Sequence, residues 1–107
     1  MVEDINKEQF TKDVLGANGP VMVQMWASWC GPCQDFKPVI NSIAAEYEDI
    51  LPTMRINIDD ELELTKELNV MDIPTVIIFN QGQQEKVIVG AHSKEEMLEY
   101  LSGYIGR

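Results

Sequence analysis

The sequence predicts a single α/β domain over residues 1–107, and three observations carry that expectation. Its 107 residues match the size of one domain. Its apolar segments alternate between helix-like and strand-like spacing, the pattern of a layered α/β fold. Hydrophobic residues make up 45% of the chain, enough for a core that needs no metal or disulfide staple. There is no low-complexity stretch and no internal repeat.

The elements follow in chain order. Asn6 is placed to cap a first helix with Phe10, Val14 and Leu15 on one face. Gly16 stops that helix and Asn18-Gly19-Pro20 turns the chain. Val21 to Ala27 is a nearly continuous apolar run, which suits a central strand covered on both faces. Two cysteines come next. Phe36, Ile40, Ile43, Ala44 and Tyr47 then mark a long amphipathic helix, with a kink expected at Pro38. Thr53 to Ile58 alternates, with Met54, Ile56 and Ile58 on one side, and reads as a strand. Asp59-Asp60 is positioned to cap a short helix carrying Leu62, Leu64 and Leu68. Thr75 to Phe79 is a second buried strand, Asn80-Gln81-Gly82-Gln83 a turn, and Lys86 to Val89 the returning strand of a hairpin. The last helix opens on a capping box, Ser93-Lys94-Glu95-Glu96, with Met97, Leu98, Leu101 and Ile105 as its apolar face.

Charge narrows the function. Eight basic residues against 18 acidic give a formal net charge of −10. That disfavours nucleic acid, which is bound through basic contacts to phosphate, and it disfavours anionic membrane surfaces. No apolar run approaches the roughly 20 residues that span a bilayer, and the start of the chain is polar, without a signal segment. The expectation is a soluble, cytoplasmic protein.

Cys30 and Cys33 are the only cysteines, at a strand end just before a helix. Half of a zinc site is one reading, but structural zinc takes four ligands and His92 is the only histidine. A structural staple is a second, but so short a loop yields only about 2 kcal/mol by chain entropy. A cytoplasmic chain does not normally keep such a bond either. Redox catalysis is the third. A sulfur at a helix N-terminus faces unsatisfied N–H groups and the positive end of the helix dipole, both of which favour the reactive thiolate. A second thiol tethered beside it can attack a mixed disulfide intramolecularly. Pro32 removes one backbone donor and stiffens the loop between the sulfurs.

The stretch Trp26-Ala27-Ser28-Trp29-Cys30-Gly31-Pro32-Cys33 resembles the active site of the thioredoxin family. The resemblance covers nearly the whole chain. Pro38 matches the family's kink proline, Asn57-Ile58-Asp59 its third-strand end, and Ile73-Pro74-Thr75 its cis-proline segment. Gly82 matches the hairpin glycine, and Val89-Gly90-Ala91 the groove segment. The resemblance implies a sheet ordered 1-3-2-4-5 with helices on both faces. Its first three strands would be parallel and its last two an antiparallel hairpin; the first strand would run from Val2 to Ile5.

It also implies roles. Cys30 would be the attacking thiolate and Cys33 the more buried resolving thiol, with Gly31 and Pro32 setting the potential and shape of the loop. Pro74, cis, would lie against the sulfurs and leave the backbone of Ile73 free to pair with substrate. Trp29, Gly31, Pro32, Ile73, Pro74, Gly90 and Ala91 would form an apolar docking surface, with Trp26 packed under the loop. Simpler readings stand beside these: Trp26 as core, Pro74 as a strand starter, Gly90 as a bulge, His92 as a loop residue. The resemblance implies a protein-disulfide reductant acting on disulfide-bearing proteins, recycled by a thioredoxin reductase, with no bound cofactor; no metal is expected for want of ligands, and a monomer is the default because nothing in the sequence demands an oligomer. Two rivals remain: an oxidase or isomerase, against which Gly31-Pro32 argues, and a non-catalytic binding module, against which the intact pair argues.

The sequence departs from the family at three places. Gln24 stands where a buried Asp is usual, Arg55 where a third-strand Lys is usual, and Gln34 where a Lys often follows the second cysteine. An amide cannot take a proton at neutral pH as a buried carboxylate can. Cys33 would then be activated without a buried side-chain base, unless Gln24 is simply a hydrogen-bonded filler. Without a carboxylate beside it, the Arg55 head is expected to reach solvent or another acidic residue.

Overall fold

A computed structural model describes residues 2–106. Five strands form one sheet: β1 (Glu3–Asp4), β2 (Pro20–Trp26), β3 (Thr53–Asn57), β4 (Thr75–Asn80) and β5 (Gln83–Val89), in the order β1-β3-β2-β4-β5. β3 is parallel to both β1 and β2, and β4 is antiparallel to both β2 and β5. The helices are α1 (Lys7–Gln9), α2 (Gly31–Tyr47), α3 (Leu62–Glu67), α4 (Lys94–Tyr100) and α5 (Ser102–Ile105). Among the described residues, no helix is long and apolar enough to cross a membrane.

The unbroken apolar run of β2 has a direct cause: side chains alternate across a strand, and both faces of this one are buried. On one face Met22 packs with Phe36, Ile40 and Ile43 of α2 and with Met97 and Leu101 from the C-terminal helices. On the other, Val21, Val23 and Met25 pack with Phe10, Val14, Leu64 and Ile77. Phe10 meets Phe79 edge to face, with ring centroids 5.2 Å apart.

Several expected boundaries shift. β1 is two residues long rather than four, although the Ile5 N–H extends its ladder to the Arg55 carbonyl at 2.8 Å. Asn6 caps α1 with a full capping box, but the helix then widens into a π turn over Phe10–Leu15, closed by Gly16 N–H to the Thr11 carbonyl. The wider turn keeps Phe10 and Val14 inward and leaves Leu15 exposed. β2 stops at Trp26, before Ala27, and β3 stops at Asn57, before Ile58. α3 begins after Glu61, which makes no side-chain cap, so Asp59 and Asp60 do not cap it. Leu64 carries its buried contact, Leu68 is partly buried, and Leu62 is exposed. β5 starts at Gln83 rather than Lys86, because the hairpin is tight. Gln81 and Gly82 both have positive φ, and a Cβ on Gly82 would sit 2.7 Å from the Leu15 carbonyl oxygen. α2 continues through Pro38 to Tyr47.

The C-terminal helix breaks at Leu101 into α4 and α5, yet Met97, Leu101 and Ile105 stay on one buried face with Leu98 partly buried beside them. Its capping box forms as expected: Ser93 Oγ accepts from Glu96 N at 3.1 Å, and Glu96 Oε1 accepts from Ser93 N at 3.0 Å. The Ser93 backbone N–H and hydroxyl hold the Glu96 carboxyl below the usual carboxylate range. The stabilisation by this carboxylate is therefore present above its unfolded pKa and fades as pH falls through the lower folded value. Ser93→Ala is expected to destabilise the fold by about 1 kcal/mol, read from the urea midpoint.

Candidate active site

The site forms where β2 ends. The chain turns after Trp26, with the Cys30 N–H donating to the Ala27 carbonyl at 3.2 Å. Cys30 is in extended conformation and is the N-cap of α2, the place usually held by Ser, Thr, Asp or Asn. Its sulfur takes the capping role: Cys30 Sγ accepts the N–H of Cys33 at 3.2 Å. Pro32 sits in the first turn, where its missing N–H costs nothing.

Cys30 and Cys33 are joined by a disulfide, with Cα atoms 5.2 Å apart. Cys30 is 6% exposed and Cys33 fully buried. The two sulfurs lie in an apolar nest with Trp26 and Ala27, packed against Ile58 and Ile73. Gly31 and Pro32 are exposed above them. When the pair is reduced, the helix N-terminus and the Cys33 N–H both favour negative charge on Cys30.

Of the groove residues expected around the pair, Ile73 packs against it. Trp29 is 67% exposed, and its Nε1 donates to Asp59 Oδ2 at 2.7 Å. α3 starts only at Leu62, with Glu61 at the N-cap position, so Asp59 lies two residues before the place from which it could cap it. The Ile73–Pro74 peptide is cis, and the Pro74 carbonyl accepts the Gly90 N–H at 2.8 Å, which ties the end of β5 beside the cis-proline segment. Gly90 has φ +91°, a conformation that excludes most side chains, while a Cβ there would meet only His92 Nε2 at 3.9 Å. Backbone shape, not crowding by the protein, requires this glycine. Ala91 is exposed next to it. His92 is a loop residue, its Nε2 3.0 Å from the Val89 carbonyl and its ring against Tyr100.

Beneath the loop lies a polar layer that the sequence reveals only in part. Trp26 is buried, its Nε1 donates to Asp4 Oδ1 at 2.6 Å, and Lys37 Nζ sits 3.8 Å from its ring centroid. Gln24 and Arg55 are register partners on β2 and β3. The Arg55 head, expected to reach solvent or an acidic residue, lines an open cavity at its outer end, but among the described residues no carboxylate lies within ion-pair distance and its hydrogen bonds go mainly to two amides. The residue is 5% exposed; Nε donates to Gln24 Oε1 at 2.7 Å and Nη2 to Asn41 Oδ1 at 2.6 Å. Two neutral amides hold a buried cation because register places Gln24, and α2 places Asn41, within its reach. Burial pulls the Arg55 pKa below its ordinary value, opposed by the charge of Asp4. Gln24 Oε1 is taken by this bond, and Gln24 Nε2 is buried with no hydrogen-bond partner among the described residues. Asp4, Lys37 and Asn41 escaped sequence reasoning, and Asp59 was read only as a strand end and helix cap. Their only signal is register and helix phase, which need the strand pairing first. Among the described residues, no three His, Cys, Asp or Glu side chains converge as a metal site.

A disulfide pair at a helix N-terminus, next to an exposed Trp and packed against the residue that precedes a cis-proline, is the arrangement of a thiol–disulfide oxidoreductase. The model of the family described as Thioredoxin matches residues 1–103, and the chain belongs to the thioredoxin family. It is 36% identical to a thioredoxin of Pseudomonas aeruginosa over 97% of this chain and 96% of that protein. It is 40% identical to a thioredoxin of Mycobacterium bovis over 94% of this chain and 87% of that one. It is also 40% identical to a bifunctional thioredoxin reductase/thioredoxin of Mycobacterium leprae, of which it spans 22%.

Proposed function

We propose that the protein is a general protein-disulfide reductase, monomeric and cytoplasmic, working through Cys30 and Cys33. The observation that carries this reading is the asymmetry of the pair: Cys30 has an exposed edge and caps α2, while Cys33 is wholly enclosed. The Cys30 thiolate attacks one sulfur of a substrate disulfide, forming a mixed disulfide and releasing the other substrate sulfur as a thiolate. Cys33, as thiolate, then attacks the Cys30 sulfur. The Cys30–Cys33 bond forms and the second substrate thiolate leaves, so two electrons pass to the substrate.

Trp29, Gly31, Pro32, Ile73, Gly90 and Ala91 supply the docking surface, while Pro74, expected in it, is itself buried, and the Ile73 backbone offers hydrogen bonds to an extended substrate segment. A thioredoxin reductase returns the electrons. The bifunctional relative, which joins both names in one protein, supports that pairing. Reduction of insulin by dithiothreitol, followed by turbidity, tests the reading. The wild type is expected to accelerate it and Cys30→Ser to match the protein-free rate. A wild type no faster than Cys30→Ser overturns the proposal.

A further inference from the structure

A cavity of about 630 Å³ opens beside Arg55, between α2 and the β1 edge, walled by Val2, Lys37, Ala44, Ala45 and Glu48. Arg55 is the unusual member of that wall. Its Nε and Nη2 are engaged by Gln24, Asn41 and, at 3.4 Å, the Lys37 carbonyl, while Nη1 makes no hydrogen bond among the described residues. Among the described residues, no carboxylate lies within ion-pair distance of it. Asp4, whose charge acts on Arg55 from beyond ion-pair distance, gives its Oδ1 to the Trp26 indole N–H. A second cation, Lys37, lines the same cavity and also lacks an ion-pair partner among the described residues.

A guanidinium held only by neutral acceptors gains a charge-assisted hydrogen bond when an anion meets the free edge of its fork. In a chain with 18 acidic residues, a counter-ion is abundant in sequence yet not placed here. The walls refine the choice of anion. Val2, Ala44 and Ala45 offer an apolar surface to a short chain, whereas Glu48 and the net charge of −10 penalise a dianion more than a monoanion. We infer that this cavity is a binding site for a free short-chain monocarboxylate. The carboxylate accepts from Arg55 Nη1 beside the Lys37 ammonium, and the alkyl end lies on Val2, Ala44 and Ala45. The site is separate from the dithiol and does not depend on the reductase reading.

Butyrate, titrated against ¹⁵N-labelled protein at constant ionic strength, tests this. The Arg55 Nε–H and Ala45 amide signals are expected to shift saturably. Sodium chloride is expected to give no saturable shift, and inorganic phosphate at least about threefold weaker binding, because the second charge is repelled. Arg55→Gln is expected to weaken butyrate at least tenfold. Because that variant touches the buried layer, Ala45→Leu serves as the second: it fills the apolar wall, leaves Arg55 and Gln24 untouched, and is expected to weaken butyrate at least tenfold. Equal, non-saturating shifts with butyrate and chloride overturn the site. So does an Ala45→Leu variant that binds butyrate like the wild type. Phosphate binding more tightly than butyrate overturns the assignment to monocarboxylates.

Discussion

Cys33→Ser is expected to stop turnover while sparing the first chemical step. The Cys30 sulfur keeps its place at the N-terminus of α2 and its hydrogen bond from the Cys33 backbone, which the substitution does not remove. It still attacks substrate. The mixed disulfide then has no neighbour to resolve it. A tethered nucleophile acts at an effective concentration of about 10⁵ M or more, against millimolar for an external thiol. Catalysed reduction of a protein disulfide is therefore expected to fall by at least about 10³-fold, with a mixed disulfide to Cys30 accumulating in intact-mass spectra. Cys30→Ser under the same conditions is expected to accumulate none. Mixed disulfides forming on Cys33 instead would reverse the two roles, which the complete burial of Cys33 argues against.

That asymmetry was only half legible in the sequence. The apolar run before Cys30 and the amphipathic pattern after Cys33 place the pair at a strand-to-helix junction, because periodicity reports local burial directly. The sheet order and the cis peptide at Pro74 came with the family resemblance, since neither leaves a periodic signal. Boundaries failed where residue type alone does not fix position. Asp59 has the right residue type for a helix cap, yet α3 starts only at Leu62, and the Asp59 carboxylate takes the Trp29 indole N–H. Leu15 fits the spacing of an α-helical face, but a π turn rotates it outward. Arg55 was legible only in part for a related reason. Lone-residue reasoning sends an unpaired guanidinium to water, and only the register of β3 against β2, with Asn41 descending from α2, shows that two amides intercept it.

Gln24 is where fold stability and thiol chemistry meet, and two substitutions separate them. Gln24→Leu removes the acceptor for Arg55 Nε and leaves a buried cation short of one hydrogen bond. A loss of about 3 kcal/mol in unfolding free energy is expected, since an unsatisfied charged donor carries its full desolvation cost. Gln24→Asp behaves differently. It offers an anionic acceptor to the same guanidinium, so stability near neutral pH is expected to stay within about 1 kcal/mol of the wild type, the gain of an ion pair offsetting its burial. What changes is proton capacity. The wild-type amide gives its oxygen to Arg55 and presents to the interior only an N–H group, unpartnered among the described residues, that cannot take a proton from Cys33. A carboxylate at this position can, provided it is ionised when the mixed disulfide forms. The rate of protein-disulfide reduction by Gln24→Asp is then expected to gain an acid limb, absent from the wild type, that falls as the introduced carboxylate protonates. An unchanged pH profile would mean that Cys33 loses its proton by a route in which the residue at position 24 takes no part.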